Sequence, residues 1–276
     1  MDSFFRNYSN KNYSVVPFLG LDPPIIMAHR GGQGLYPPNT IYAYERSVNI
    51  GVKVLELDIQ ITSDDVLVVR HDPTVNATTN GMGYIDSMKL EEVKLLDAGY
   101  RWTSDGGNSF PYRGNNITIP TLEEVLQKFP DTRLNIDIKP VNSKVVPIFC
   151  DLLRKYEVLE YVMVGSFHDH QLAAFRKLCP EVATAAGVAE TRLFFALNKL
   201  SSTRLFSSKA RAFQIPEYAG RLHIVTPNFI RTAHKQNLQV HVWTVNSDQE
   251  MMRLIDWGVD GIITDYPDLA MDLLLK

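Results

Sequence analysis

Short apolar runs alternate with stretches of helical periodicity along most of the chain, beginning at Ile25-Ile26-Met27-Ala28. A run of that length without a polar interruption predicts a strand covered on both faces. It stops at His29-Arg30-Gly31-Gly32. Asn39-Thr40 then offers an N-cap to a helix in which Ile41, Tyr44 and Val48 share one face, and Gly51 ends it. The run Lys53-Val54-Leu55-Glu56-Leu57-Asp58-Ile59 follows as a second strand. Further strands are predicted over 134–138, 161–164, 182–186, 211–215, 238–243 and 261–264, and helices over 143–156, 169–178, 190–200, 228–236 and 248–257. Eight such strand–helix units predict a closed (β/α)8 TIM barrel. An open, doubly wound sheet alternates in the same way and is the second architecture the pattern allows.

The rhythm breaks once. Roughly 70 residues separate the second and third barrel strands, far more than a connecting loop, so they hold structure of their own. The pattern places an insertion at about 61–118, with an extra strand over 66–70 and a short helix over 90–95, before a helix over 122–129 leads back to the barrel. Residues 100–112 mix Tyr100, Trp102, Phe110 and Tyr112 with Asp, Gly, Asn and Ser. Such a loop is either a lid over a site or a surface loop pinned by its aromatics. Residues 1–24 read as a polar amino-terminal arm, and 25–276 as one domain.

Composition narrows the function classes. The 276 residues are 45% hydrophobic and carry a formal net charge of −3, which gives no global attraction for nucleic acid. No stretch reaches the roughly 20 apolar residues of a membrane span, and the first 20 residues lack the apolar core of a secretory signal, so the expected location is cytoplasmic. Cys150 and Cys179 show no metal or redox spacing and are expected as reduced, packed thiols, with one disulfide left open by the sequence.

In a barrel the reactive groups come from the carboxyl ends of different strands. His29 and Arg30 close the first strand, Glu56 and Asp58 lie on one face of the second, Asp137 and Lys139 end the third, and His71-Asp72 follows the extra strand. Two carboxylates side by side on a buried strand resist desolvation unless a cation joins them, although taken alone an exposed edge strand would explain the pair equally well. With Asp137 they make three hard oxygen donors, suited to Mg²⁺ or Ca²⁺. Two histidines beside such a site can act as general acid and base, and Arg30 and Lys139 can face phosphoryl oxygens. His223, His234 and His241 are read as ordinary surface or packing residues.

Taken in order, these stretches closely resemble the glycerophosphodiester phosphodiesterase family. The matching pieces are Ala28-His29-Arg30-Gly31, Pro38-Asn39-Thr40, Glu56-Leu57-Asp58 and Val68-Val69-Arg70-His71-Asp72. Ile136-Asp137-Ile138-Lys139, Val242-Trp243-Thr244-Val245-Asn246, and Gly258-Val259-Asp260-Gly261 through Thr264-Asp265-Tyr266-Pro267 complete them. The resemblance implies a (β/α)8 barrel that hydrolyses a small-molecule phosphodiester to glycerol 3-phosphate and an alcohol with one divalent cation. It implies Glu56 and Asp58 as metal ligands, joined by Asp137 where the family usually has Glu, and His29 and His71 as the acid–base pair. Arg30 and Lys139 would hold phosphate, and Trp243 would wall the pocket. Pro37-Pro38-Asn39-Thr40 lacks a Glu the family often carries, and Asp64-Asp65 replaces a common Asp-Gly turn. Two other readings stand beside this one. A lysophospholipase D would lay an acyl chain against residues 100–112 and the helix bearing Leu193, Phe194, Phe195 and Leu197. A non-catalytic phosphate-binding module would need the basic residues but not two histidines with three acids.

Overall fold

Eight parallel strands pair edge to edge until the last meets the first. The computed structural model describes residues 17–275. Residues 1–16, most of the expected amino-terminal arm, lie outside the described residues. In chain order the strands are β1 (Ile25–Ala28), β2 (Val54–Ile61), β3 (Leu67–Val69), β4 (Arg133–Ile138), β5 (Val162–Gly165), β6 (Ala183–Thr184), β7 (Ala212–Pro216), β8 (Tyr218–Ala219), β9 (Leu222–His223), β10 (Gln239–Trp243) and β11 (Gly261–Thr264). The helices are α1 (Ile41–Asn49), α2 (Leu90–Lys94), α3 (Leu122–Lys128), α4 (Val145–Lys155), α5 (Asp169–Leu178), α6 (Val188–Lys199), α7 (Pro227–Lys235), α8 (Asp248–Asp256) and α9 (Pro267–Leu274). The sheet runs β6-β5-β4-β2-β1-β11-β10-β7, and a parallel bridge from Ala185 to Ala212 joins its two ends. The architecture is therefore the predicted (β/α)8 barrel and not the open sheet.

Strand alternation decides what faces inward. Along β2, Leu55, Leu57, Ile59 and Ile61 pack outward with Leu122, Val125 and Phe149 in the layer between sheet and helices. Val54, on the other face, joins Ile25, Met27, Met163, Ala183, Ala212 and Ile263 inside the barrel, closed below by Phe18 and Leu19. The barrel interior is thus apolar at its amino-terminal end, and Glu56 and Asp58 stand above that plug on the same face as Val54. Burying them is costly, and the fold accepts the cost where the site lies.

Between β2 and β4, β3 runs antiparallel to β2 with Ile59 opposite Val69. Behind it Val68, Val75, Ile85, Val93, Ala98, Ile117 and Ile119 form a separate small core. Asp65 adopts φ 64°, the left-handed turn conformation that a glycine would reach at less cost. Residues 100–112 are pinned: Trp102 Nε1 donates to the Gln33 carbonyl at 2.9 Å, and Tyr112 packs edge-on against both Trp102 and Tyr42.

Three elements differ from expectation. β6 is only two residues long because the chain turns at once into α6, where Gly187 N–H donates to Glu190 Oε2 at 2.9 Å. The β8–β9 hairpin, turning at Gly220 with φ 59°, is too short to leave an alternating pattern. The closing helix α9 had no predicted counterpart. Cys150 and Cys179, expected as thiols, are joined in a disulfide with their Cα atoms 6.1 Å apart. Packing of α4 against α5 brings them together, which a sequence separation of 29 does not reveal. Closing a loop of that length removes unfolded-state entropy worth about 3–4 kcal/mol in the chain-entropy treatment. Among the described residues no helix is long and apolar enough to cross a membrane.

Candidate active site

The loop after β1 turns sharply because Arg30 itself is left-handed, with φ 52°. Gly31 follows at φ 80°, where a Cβ would stand 2.8 Å from both Ala43 and Tyr44, so only glycine fits. This turn aims the backbone N–H of Arg30 at Glu56 Oε2, 2.8 Å away, and brings the Arg30 Nε to 3.3 Å from Asp58 Oδ2. On the other side Asn39, just ahead of α1, donates to Asp58 Oδ2 at 3.0 Å and accepts from the Tyr44 hydroxyl at 2.9 Å.

The strand register sets the rest. Asp58 lies opposite Asp137 across β2 and β4. Lys139 Nζ reaches Asp58 Oδ1 at 2.9 Å and Asp137 Oδ2 at 2.6 Å. Burial and the neighbouring Asp58 push the Glu56 carboxyl up to about 7. Burial acts on Asp58 in the same sense, but Lys139 and Arg30 outweigh it and hold Asp58 below the usual carboxylate range. Asp137 is raised, burial exceeding the attraction of Lys139. Lys139 loses some affinity for its proton to burial and regains more from Asp137 and Asp58, so it is raised and stays charged.

Each predicted histidine is backed by a carboxylate. His29 Nδ1 lies 2.5 Å from Asp265 Oδ1, and Asp265 is itself held by Gln33 Nε2 at 2.9 Å and Asn246 Nδ2 at 2.7 Å. With Nδ1 engaged, Nε2 is the free ring nitrogen. Burial works to lower the His29 pKa, but the Asp265 hydrogen bond and the Glu56 charge raise it above its ordinary value. His71 Nδ1 lies 2.7 Å from Asp72 Oδ1.

All eight predicted residues, His29, Arg30, Glu56, Asp58, His71, Asp137, Lys139 and Trp243, line one cavity of about 530 Å³ at the carboxyl ends of the strands. Trp243 meets the ring of Phe167 edge-on at 5.9 Å, and Phe167 also lies beside Lys139 Nζ at 5.5 Å. The opposite wall is apolar, built by Val188, Phe195, Ile215, Pro216, Leu222 and Ile224. Of the helix considered for an acyl chain, Phe194 is in the core and Phe195 in the cavity. The aromatics of residues 100–112 do not line this cavity.

The carboxylates are not drawn into one ligand set: among the described residues no group of three or more His, Cys, Asp or Glu is placed to hold an ion. The donors nevertheless fit a hard cation. Asp137 Oδ1 is buried with no hydrogen-bond partner among the described residues, and the Glu56 carboxyl is pushed up to about 7 by burial and Asp58, effects that a cation would oppose.

Asp265, Asn246, Gln33 and Asn39 were not singled out by the sequence. Three of them sit within the matching stretches, but a lone Asp or Asn shows its partner only after folding.

The chain has counterparts among known proteins. A glycerophosphodiester phosphodiesterase of Caldanaerobacter subterraneus subsp. tengcongensis is 32% identical over 265 residues, covering 91% of this chain and 98% of the relative. The glycerophosphoryl diester phosphodiesterase domain of a Mycobacterium tuberculosis protein superposes with a TM-score of 0.82 at 22% identity, over 91% of this chain and 99% of that one. An Oleispira antarctica phosphodiesterase, solved in complex with the product sn-glycerol-3-phosphate, gives 0.75 at 24% identity, over 92% and 97%. The class is thus a phosphoric diester hydrolase on a (β/α)8 barrel. More particularly, the model of the glycerophosphoryl diester phosphodiesterase family matches residues 29–269, and the chain belongs to that family.

Proposed function

We propose that this chain hydrolyses glycerophosphodiesters to glycerol 3-phosphate and an alcohol. In this reading Glu56, Asp58 and Asp137 hold one divalent cation, Mg²⁺ or Ca²⁺, and His29 and His71 form the acid–base pair. Residues 25–276 act as a single domain. The supporting observation is that two histidines, Arg30, Lys139 and three carboxylates, drawn from four separate segments, line one cavity. The product in the Oleispira neighbour's structure agrees with this substrate class.

Arg30 and Lys139 attract the phosphate into the cavity, and their charge offsets that of the pentacoordinate transition state. When bound, the cation polarises the phosphoryl group and relieves the repulsion between Glu56 and Asp58. His29, raised by Asp265, carries its proton on Nε2 and delivers it to the departing alkoxide. His71, oriented by Asp72, takes the proton of the attacking oxygen. Trp243 and Phe167 cover the pocket and restrict water.

The apolar wall of Val188, Phe195, Leu222 and Ile224 favours a second reading, a lysophospholipase D that seats an acyl chain there. Each buried methylene is worth about 0.8 kcal/mol, so three would raise kcat/KM by on the order of fiftyfold. Comparison of glycerophosphocholine with lysophosphatidylcholine separates the two. The phosphodiesterase reading predicts that glycerophosphocholine is turned over at least as well; a preference for the lysolipid of fiftyfold or more would transfer the assignment.

A further inference from the structure

Beneath the reactive groups lies a polar layer that the mechanism above leaves unused. Gln214 of β7 pairs in register with His241 of β10, and Asn135 of β4 with Glu56 of β2. Gln214 Nε2 lies 2.8 Å from Asn135 Oδ1, 3.3 Å from His241 Nδ1 and 3.4 Å from Met163 Sδ. A thioether sulfur accepts hydrogen bonds and cannot donate them, so the amide end turned toward Met163 is the nitrogen. His241 Nδ1 is then an acceptor, and its Nε2 donates to Gln239 Oε1 at 2.9 Å. The imidazole is fully buried, and burial pushes it down to about 4, so it is neutral at pH 7 with a single N–H, as this chain of bonds requires. Gly261 makes room for the ring, since a Cβ there would lie 2.8 Å from it.

The other end of the Gln214 amide has no such partner. Oε1 accepts no hydrogen bond among the described residues, and Gln214 lines the cavity together with Asn135 and Gly165. A Cβ on Gly165 would stand 3.6 Å from Oε1, and the missing side chain leaves that oxygen open. A neutral carbonyl oxygen repels phosphoryl oxygens and requires a donor. Reversed, the same amide would present N–H groups and attract those oxygens.

We propose that Gln214 Oε1 recognises a hydroxyl of the glycerol moiety, and that His241 is the positioning residue that fixes its orientation. This rests on the phosphodiesterase reading. The glycerol end then occupies the polar floor, and the variable alcohol is left the apolar wall.

The test is binding, measured by calorimetry, of sn-glycerol 3-phosphate, propyl phosphate and inorganic phosphate to the full chain. The wild type should prefer glycerol 3-phosphate over propyl phosphate by about tenfold, the size expected of one well-placed neutral hydrogen bond. Gln214→Met should reduce that preference to less than about threefold while leaving inorganic phosphate binding unchanged. His241→Phe keeps the ring volume and removes the nitrogens, and should lower the preference as well, which covers the case that Gln214→Met does not fold. Full preference retained in either folded variant, or no preference in the wild type that binds phosphate, would overturn the assignment. Failure of the wild type to bind inorganic phosphate would instead overturn the phosphodiesterase reading beneath it.

Discussion

His29→Ala is expected to lower kcat for glycerophosphocholine by about 10²–10⁴-fold, the range over which a positioned general acid contributes. His71→Ala is expected to fall in the same range. The two losses separate when the leaving group changes. A nitrophenyl diester expels a weakly basic phenoxide that needs little protonation, so His29→Ala should lose much less on it than on glycerophosphocholine. His71→Ala should lose about equally on both, because deprotonation of the attacking oxygen is still required. Steady-state rates on the two substrates provide the check. Recovery by His71→Ala and not by His29→Ala would exchange the roles, and near-normal turnover in both variants would remove them from the chemistry altogether.

Asp265→Asn is expected to cost about 10²–10⁴ in kcat/KM, since an amide that donates to Nδ1 enforces the wrong tautomer on His29. It should also move the alkaline limb of the pH profile. In the wild type His29 is raised because Asp265 and Glu56 outweigh burial and Arg30. A general acid works while protonated, so with His29 in that role activity should be present below its pKa and lost as pH rises through it. Without the Asp265 charge, burial and Arg30 gain weight and the limb shifts to lower pH. The measurement is kcat/KM against pH for the two proteins at constant ionic strength. An unmoved limb would show that another group sets it.

Much of this site was legible because a strand carries chemistry in a pattern that survives without coordinates. Glu56 and Asp58, two apart in an apolar run, had to share a face, and the structure puts them on the interior face with Val54. His29 and Arg30 were readable because an apolar run stops abruptly at them. What could not be read depends on contacts between distant segments. Asp265 meets His29 across 236 residues, and Cys150 meets Cys179 only because α4 packs on α5. The hairpin of β8 and β9 is two residues per strand, below the length at which alternation has meaning. His241 looked like any packed histidine, and in burial it is one; its orientation of Gln214 appears only through Met163 and Asn135. Lys139 was expected to face phosphate; in the structure it lies between Asp58 and Asp137.

Because Lys139 already bridges Asp58 and Asp137, the need for a cation is the point to test first. Glycerol 3-phosphate release from glycerophosphocholine, followed before and after treatment with EDTA and again after adding Mg²⁺ or Ca²⁺, tests it directly. Release by the untreated protein, loss by at least about a hundredfold on chelation, and recovery with one of the two ions are expected. Undiminished release by the folded, chelated protein would contradict the need for a cation, and would leave the charge on the phosphate to be offset by side chains such as Lys139 and Arg30.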